Sequence, residues 1–218
     1  MKRGYRMLVF DWDGTIMDST ALIAHCIRLA AVATGLPEPT VADAKSVIGL
    51  GVKESIERLF PGIDHALAQT FGTHYRTQFL ARDHETPLYE GMRELLDALE
   101  LPERILAVAT GKSRRGLDRA LNYSGLAGRF HFTRCADEGF PKPHPDMLER
   151  LMAFSGVASD EVLMIGDTTH DLDLARNAGV DALAVSYGAH TFETLAAADP
   201  LAVVRNVDEL SQWLTLNA

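Results

Sequence analysis

Three short runs of uninterrupted apolar residues, stopping at an aspartate, a threonine and a glycine, constrain this chain more than any other feature. They are Met7-Leu8-Val9-Phe10 before Asp11, Ile105-Leu106-Ala107-Val108-Ala109 before Thr110-Gly111, and Val162-Leu163-Met164-Ile165 before Gly166-Asp167. Stretches at 130–133, 182–186 and 202–204 follow the same rhythm, the first of these being shorter and weaker. A strand half-exposed to water alternates apolar and polar residues. One covered on both faces does not, and that is the signature of a parallel sheet. Helical patterns fill the gaps at 91–100, 114–124, 145–155 and 172–178. Ser113 suits an N-cap, Pro145 a first helical turn, and Gly179 a helix stop. The expected fold is α/β, a doubly wound parallel sheet of βαβ units with right-handed crossovers.

Residues 16–86 break this alternation. Leu22, Ile23, Cys26, Ile27, Ala30 and Ala33 recur at helical spacing, and Gly35-Leu36-Pro37 ends that pattern. Further helices are expected at 41–48, 53–60 and 65–81, with no convincing strand among them. A connection of this length is too long to be loop inside a compact domain. The expected organisation is an α/β core of residues 1–15 and 87–218 with a helical cap, 16–86, inserted after the first strand.

The chain has 218 residues, is 47% hydrophobic and carries a formal net charge of -9. That excludes global disorder, and the acidic balance argues against nucleic acid or an anionic membrane surface as partner. It also means that a bound phosphate needs local cations. Cys26 and Cys135 are far apart in sequence and read as reduced, buried thiols, which fits a cytoplasmic protein. The N-terminus, with Lys2 and Arg3, is basic. The apolar run after it is too short for a signal-peptide core, and no stretch approaches a membrane span. No residue pattern specifies an oligomeric state.

Four polar stretches fall at or after strand ends: Asp11-Trp12-Asp13-Gly14-Thr15, Thr110-Gly111-Lys112, Lys142 within Phe140-Pro141-Lys142-Pro143-His144-Pro145, and Gly166-Asp167-Thr168-Thr169-His170-Asp171. In open α/β sheets the carboxyl ends of strands are where ligands bind. Together, in this order, the stretches resemble the four signature motifs of the haloacid dehalogenase superfamily in its phosphatase form, with a helical cap as in its phosphoglycolate phosphatase and β-phosphoglucomutase groups. The first and fourth motifs are specific; the second and third count because order and context agree.

The resemblance implies a Mg2+-dependent phosphatase acting on a small phosphorylated metabolite, a phosphoglycolate-like monoester, through an aspartyl-phosphate. Asp11 is then the nucleophile, and Asp13 the acid for the leaving alcohol and the base for water. Thr110, Gly111 and Lys142 hold the phosphoryl group, and Asp11, Asp13 (through its backbone carbonyl) and Asp167 hold the metal. Asp171 stands behind them, reaching metal waters or holding Lys142. The chemistry suits these residue types. A phosphate ester repels nucleophiles with its own charge, so positioning and neutralisation dominate. Oxygen-only ligation by few carboxylates suits Mg2+. An acid at position 13 is needed only when an oxygen leaving group must be protonated. A phosphosugar mutase shares the fold, motifs and cap, and a low-turnover phosphate-binding protein is the remaining alternative.

Four further features carry two readings each. Gly49 and Gly51 sit in a loop that either leans over the site or is an ordinary interhelix turn. Lys53 either contacts phosphate or substrate, or is exposed. Lys112, Arg114 and Arg115 either draw in an anion or form a solvated face, the second being preferred. His170 either lines the pocket or faces solvent.

Overall fold

The computed structural model describes residues 4–218; Lys2 and Arg3 lie outside the described residues. Six strands form one parallel sheet: β1 Met7–Phe10, β2 Ile105–Thr110, β3 Phe132–Cys135, β4 Val162–Gly166, β5 Asp181–Val185 and β6 Val203–Val204. Their order is β3-β2-β1-β4-β5-β6. β1 is central, with Met7 opposite Ile105 on one side and Val162 on the other. Its unbroken apolar run now has a cause. Leu8 and Phe10 enter one core layer, Met7 and Val9 the other, and all four are fully buried. Each such side chain contributes ~1.5–3 kcal/mol relative to exposure. The chain winds outward in both directions from β1, so the crevice at the sheet's carboxyl edge opens beside its last residue.

Ten α-helices accompany the sheet among the described residues. Those of the first connection are α1 Thr20–Ala33, α2 Val41–Ser46, α3 Val52–Leu59 and α4 His65–Leu80. The others are α5 Met92–Ala98, α6 Arg114–Tyr123, α7 Asp146–Ser155, α8 Thr169–Ala178, α9 Phe192–Ala196 and α10 Val207–Asn217. Leu95, Leu117 and Leu210, from α5, α6 and α10, complete the layer of Leu8 and Phe10. Leu148, Leu151 and Leu174, from α7 and α8, complete the other. Helices α1–α4 gather around a separate apolar cluster that includes Ile23, Ile27, Val47, Ile56, Phe71 and Phe79. Local chemistry sets the starts of α2 and α4. Thr40 and Asp43 form a capping box on α2, and the Asp64 carboxylate accepts from Ala66 and Leu67 N–H at the start of α4.

Several boundaries differ from expectation for identifiable reasons. α8 begins at Thr169, not 172, because Thr168 and Asp171 close a capping box. Asp171 is therefore a first-turn residue. β3 is shifted to 132–135; its pairing with β2 runs from Ala107↔Phe132 to Thr110↔Cys135. Phe130 instead packs edge-on against Trp12 at 6.1 Å. Pro145 is the N-cap of α7 rather than its first helical residue. Cys26 and Cys135 are buried and unpaired, and no helix among the described residues is long and apolar enough to cross a membrane.

Candidate active site

β1 delivers Asp11 to the crevice, and the Asp11 N–H donates to Ile165 O of β4 at 2.8 Å, tying the turn to its neighbour. The chain then folds tightly: Gly14 N–H donates to Met17 O, while Ile16 and Met17 N–H donate to Trp12 O. This turn needs glycine at position 14, where φ is +88° and a Cβ would lie 2.2 Å from Asp167 Oδ2. The backbone of the first motif thus packs directly against the Asp167 carboxylate of the fourth.

Three buried carboxylates converge here. Ligand atoms of Asp11, Asp167 and Asp171 all lie within 4.8 Å of one another. The Lys142 ammonium stands among them, donating at 2.6 Å to Asp11 Oδ1 and at 2.6 Å to Asp171 Oδ1. Both oxygens of Asp171 are engaged, because Oδ2 accepts from the Thr168 N–H (3.0 Å) and hydroxyl (2.7 Å). Asp171 therefore holds Lys142 and leaves ligand chemistry to the other two. Asp167 accepts from the Thr15 hydroxyl at 2.9 Å and the Ala189 N–H at 2.7 Å.

Electrostatics follow from this packing. Burial pushes the Asp11 carboxyl up, Lys142 pulls it back, and Asp171 and Asp13 push it up again, leaving it at about 7. Burial, then the charges of Asp11 and Asp171, hold Asp167 well above the usual carboxylate range. Burial alone would lower the Lys142 ammonium, but its two carboxylate partners outweigh that and hold it above the ordinary lysine value.

These residues fit a hard dication on two observations. Asp11 Oδ2 is buried and has no hydrogen-bond partner. Three buried carboxylates face one buried ammonium, so ionising all three calls for a further cation in a place shielded from water. Oxygen ligands of this kind match Mg2+.

Asp13 points elsewhere. Its Oδ1 accepts from the Ser19 hydroxyl at 2.7 Å, and its Oδ2 pairs with Lys112 Nζ at 3.0 Å. Lys112 also lies 4.6 Å from the centroid of the Phe79 ring on α4. The preferred solvated-face reading of Lys112 is thus corrected: its side chain is largely buried between Asp13 and Phe79. Arg114 is a structural residue, bound to Glu138 and Thr133. Thr110 is fully buried; its hydroxyl accepts from Lys112 N–H at 3.2 Å, so its own hydrogen is left to donate.

Asp11, Asp13, Thr110, Gly111 and Lys112 line one wall of a cavity of about 520 Å3, and α1, α3 and α4 line the other. Lys142 and Asp167 do not line it; they pack behind Asp11. The loop at 49–51 closes over the second motif. A Cβ on Gly111 would lie 2.6 Å from both Gly49 O and Leu50 O. His170 is buried, not solvent-facing, and its Nε2 is 3.0 Å from Ser46 O at the end of α2. Lys53 is exposed and sits 3.8 Å from Glu57.

Sequence reasoning missed Ser19, Ala189 and the role of Thr15. Thr15 stood within a quoted motif, but a hydroxyl's target 152 positions away has no local signal. Lys112 is visible beside Thr110-Gly111, but within a basic cluster it reads as part of a solvated helix face.

Comparison with known proteins agrees with this geometry. The family profile described as haloacid dehalogenase-like hydrolase matches residues 8–185. A protein named probable phosphatase IndB, from Dickeya dadantii, is 30% identical over 94% of this chain and 91% of its own length. A phosphoglycolate phosphatase from Pseudomonas syringae pv. tomato is 29% identical over 94% of this chain and 78% of its own. The crystal structure of a predicted phosphatase from Clostridium acetobutylicum superimposes with a TM-score of 0.86 at 25% identity, covering 98% of this chain and 100% of that one.

Proposed function

From the premise that the chain belongs to the haloacid dehalogenase-like hydrolases, we propose that it is a Mg2+-dependent phosphatase that hydrolyses a phosphate monoester through an aspartyl-phosphate on Asp11. One observation carries the reading: a carboxylate at the floor of a cavity, with one oxygen on Lys142 and the other buried without a partner. The phosphatase names of the relatives support the same reaction class.

Asp11 and Asp167, with the Asp13 backbone carbonyl, would hold Mg2+. Bound there, the ion supplies positive charge that lets a carboxylate approach a phosphate. An Asp11 oxygen forms a bond to phosphorus as the bond to the ester oxygen breaks. Asp13 gives that oxygen a proton, then takes one from the water that releases phosphate. For this, the ion pair between Asp13 Oδ2 and Lys112 must open, and the ammonium is then placed to meet the incoming anion. The Thr110 hydroxyl and Gly111 N–H donate to phosphoryl oxygens, and Lys142 supplies charge from behind Asp11. Residues 16–86 serve as a cap over the core of 1–15 and 87–218, excluding water from the first step.

The test is phosphate release from a panel of phosphate monoesters with Mg2+ and with chelator. Turnover that needs Mg2+ and is abolished in Asp11→Asn supports the reading. Indifference to chelation removes the metal role, and near-normal turnover by the variant removes the nucleophile.

A further inference from the structure

The wall of the cavity facing Asp11 and Asp13 carries an apolar stretch, with Lys53, Glu54, Arg76 and Asp83 also in its lining. Ile23 and Ile27 come from α1, Ile56 from α3, and Phe71, Tyr75 and Phe79 from α4. Tyr75 and Phe79 stack at 5.8 Å with their planes 16° apart, and Lys112 lies over Phe79 and reaches Asp13. An aromatic face therefore runs from the interior of the helical cluster to the catalytic carboxylates. The Tyr75 hydroxyl makes no hydrogen bond among the described residues. Burial, then the negative charge of Asp13, keeps that phenol protonated, so it is a donor.

The volume matters as well. A cavity of about 520 Å3 falls in the ~300–1,000 Å3 range of sites that enclose ring-bearing organic ligands. A short phosphorylated carboxylic acid would leave most of it unfilled. Its carboxylate would also find the buried cations already committed. Lys112 is paired with Asp13 and the Arg119 guanidinium is bound to Asp83 and Leu80 O, while Lys53, Arg76 and Arg115 enter the lining as exposed, solvated side chains.

Resting on the phosphatase reading, we propose that the substrate is a phosphate monoester whose leaving alcohol carries an aromatic or heteroaromatic ring. The ring stacks on the Tyr75–Phe79 face, and a ring acceptor takes the Tyr75 hydroxyl proton as a hydrogen bond. The α1, α3 and α4 side chains select this leaving group by apolar burial, while the motif residues see only the phosphoryl group.

The experiment compares kcat/KM, with Mg2+, for benzyl phosphate, 3-pyridylmethyl phosphate and 2-phosphoglycolate. All three release an alkyl alcohol, which limits differences in leaving-group reactivity. Burial of a ring predicts that both ring esters exceed 2-phosphoglycolate by at least ~10-fold. Tyr75→Phe, which keeps the stacking face, should bring the 3-pyridylmethyl to benzyl ratio toward one. Tyr75→Ala should lower the benzyl to 2-phosphoglycolate ratio by ~5-fold or more, with melting curves confirming the fold. If 2-phosphoglycolate is turned over as well as or better than the ring esters, the inference falls and the phosphatase reading stands. If no ester is turned over with Mg2+, the phosphatase reading falls and takes this one with it.

Discussion

Replacing Asp11 with Asn should stabilise the metal-free protein, and more so as pH rises. Asp11 sits against Asp167 and Asp171 with one cation between them, and its carboxyl is raised from 3.8 to about 7. A carboxyl held above its ordinary value keeps its proton in the folded chain after the unfolded chain has lost it. The folded state then binds more protons through that window, so stability is fullest below the unfolded value and falls as pH climbs toward the folded one. Each tenfold change in proton affinity is ~1.4 kcal/mol, so between pH 5 and 7 the wild type loses on the order of 3 kcal/mol that Asp11→Asn keeps. For a chain of this size that is ~6–10 °C in Tm. The amide oxygen can still accept from Lys142, so the pair geometry need not be lost. The assay is thermal melting of both proteins in chelator from pH 5 to pH 8, read as the difference in Tm, and repeated with Mg2+. The variant should gain on the wild type as pH rises, and Mg2+ should raise the wild type more than the variant. A Tm difference that is flat with pH, or that favours the wild type at pH 8 in chelator, would refute the charge argument.

Three further substitutions probe the surroundings of Asp11. Lys142→Met leaves the three carboxylates without their cation and should cost ~3–5 kcal/mol at pH 8. That deficit should shrink at pH 5, where the carboxyls regain protons; an unchanged Tm at pH 8 would contradict it. Lys112→Ala should lower kcat/KM by ~10-fold or more while leaving Tm within a few degrees, since its ammonium holds only Asp13 and Phe79 and, in the mechanism we propose, meets the phosphate; a rate within twofold of wild type would remove it from the site. Gly111→Ala puts a methyl 2.6 Å from two carbonyls of the 49–51 loop. It should displace that loop and reduce kcat/KM by ~10-fold or more with the sheet intact, checked by circular dichroism and steady-state rates.

What was readable in the sequence was what is local. β1 and β4 could be read because burial on both faces removes the alternation of polar residues, and Asp11 and Asp167 follow directly from where those runs stop. The helices of 16–86 could be read because apolar spacing and caps such as Thr40 and Asp64 act within a few residues. The edge strand β3 was misplaced because its register is set by β2, not by its own composition. The distant partners were beyond reach for the same reason. Thr15 meets Asp167, Lys112 meets Asp13, and His170 meets Ser46 only after the crossovers close. The apolar wall made by α1, α3 and α4 was invisible because core residues and pocket residues look alike until the space between them is known.

The central claim, that Asp11 accepts the phosphoryl group, has a direct test. The protein is mixed with Mg2+ and a phosphate monoester, quenched in acid during turnover, and mapped by peptide mass spectrometry. An acyl-phosphate on Asp11, labile to hydroxylamine and absent with chelator, is the predicted result. Steady release of phosphate with no label on Asp11, together with near wild-type turnover by Asp11→Asn, would contradict it.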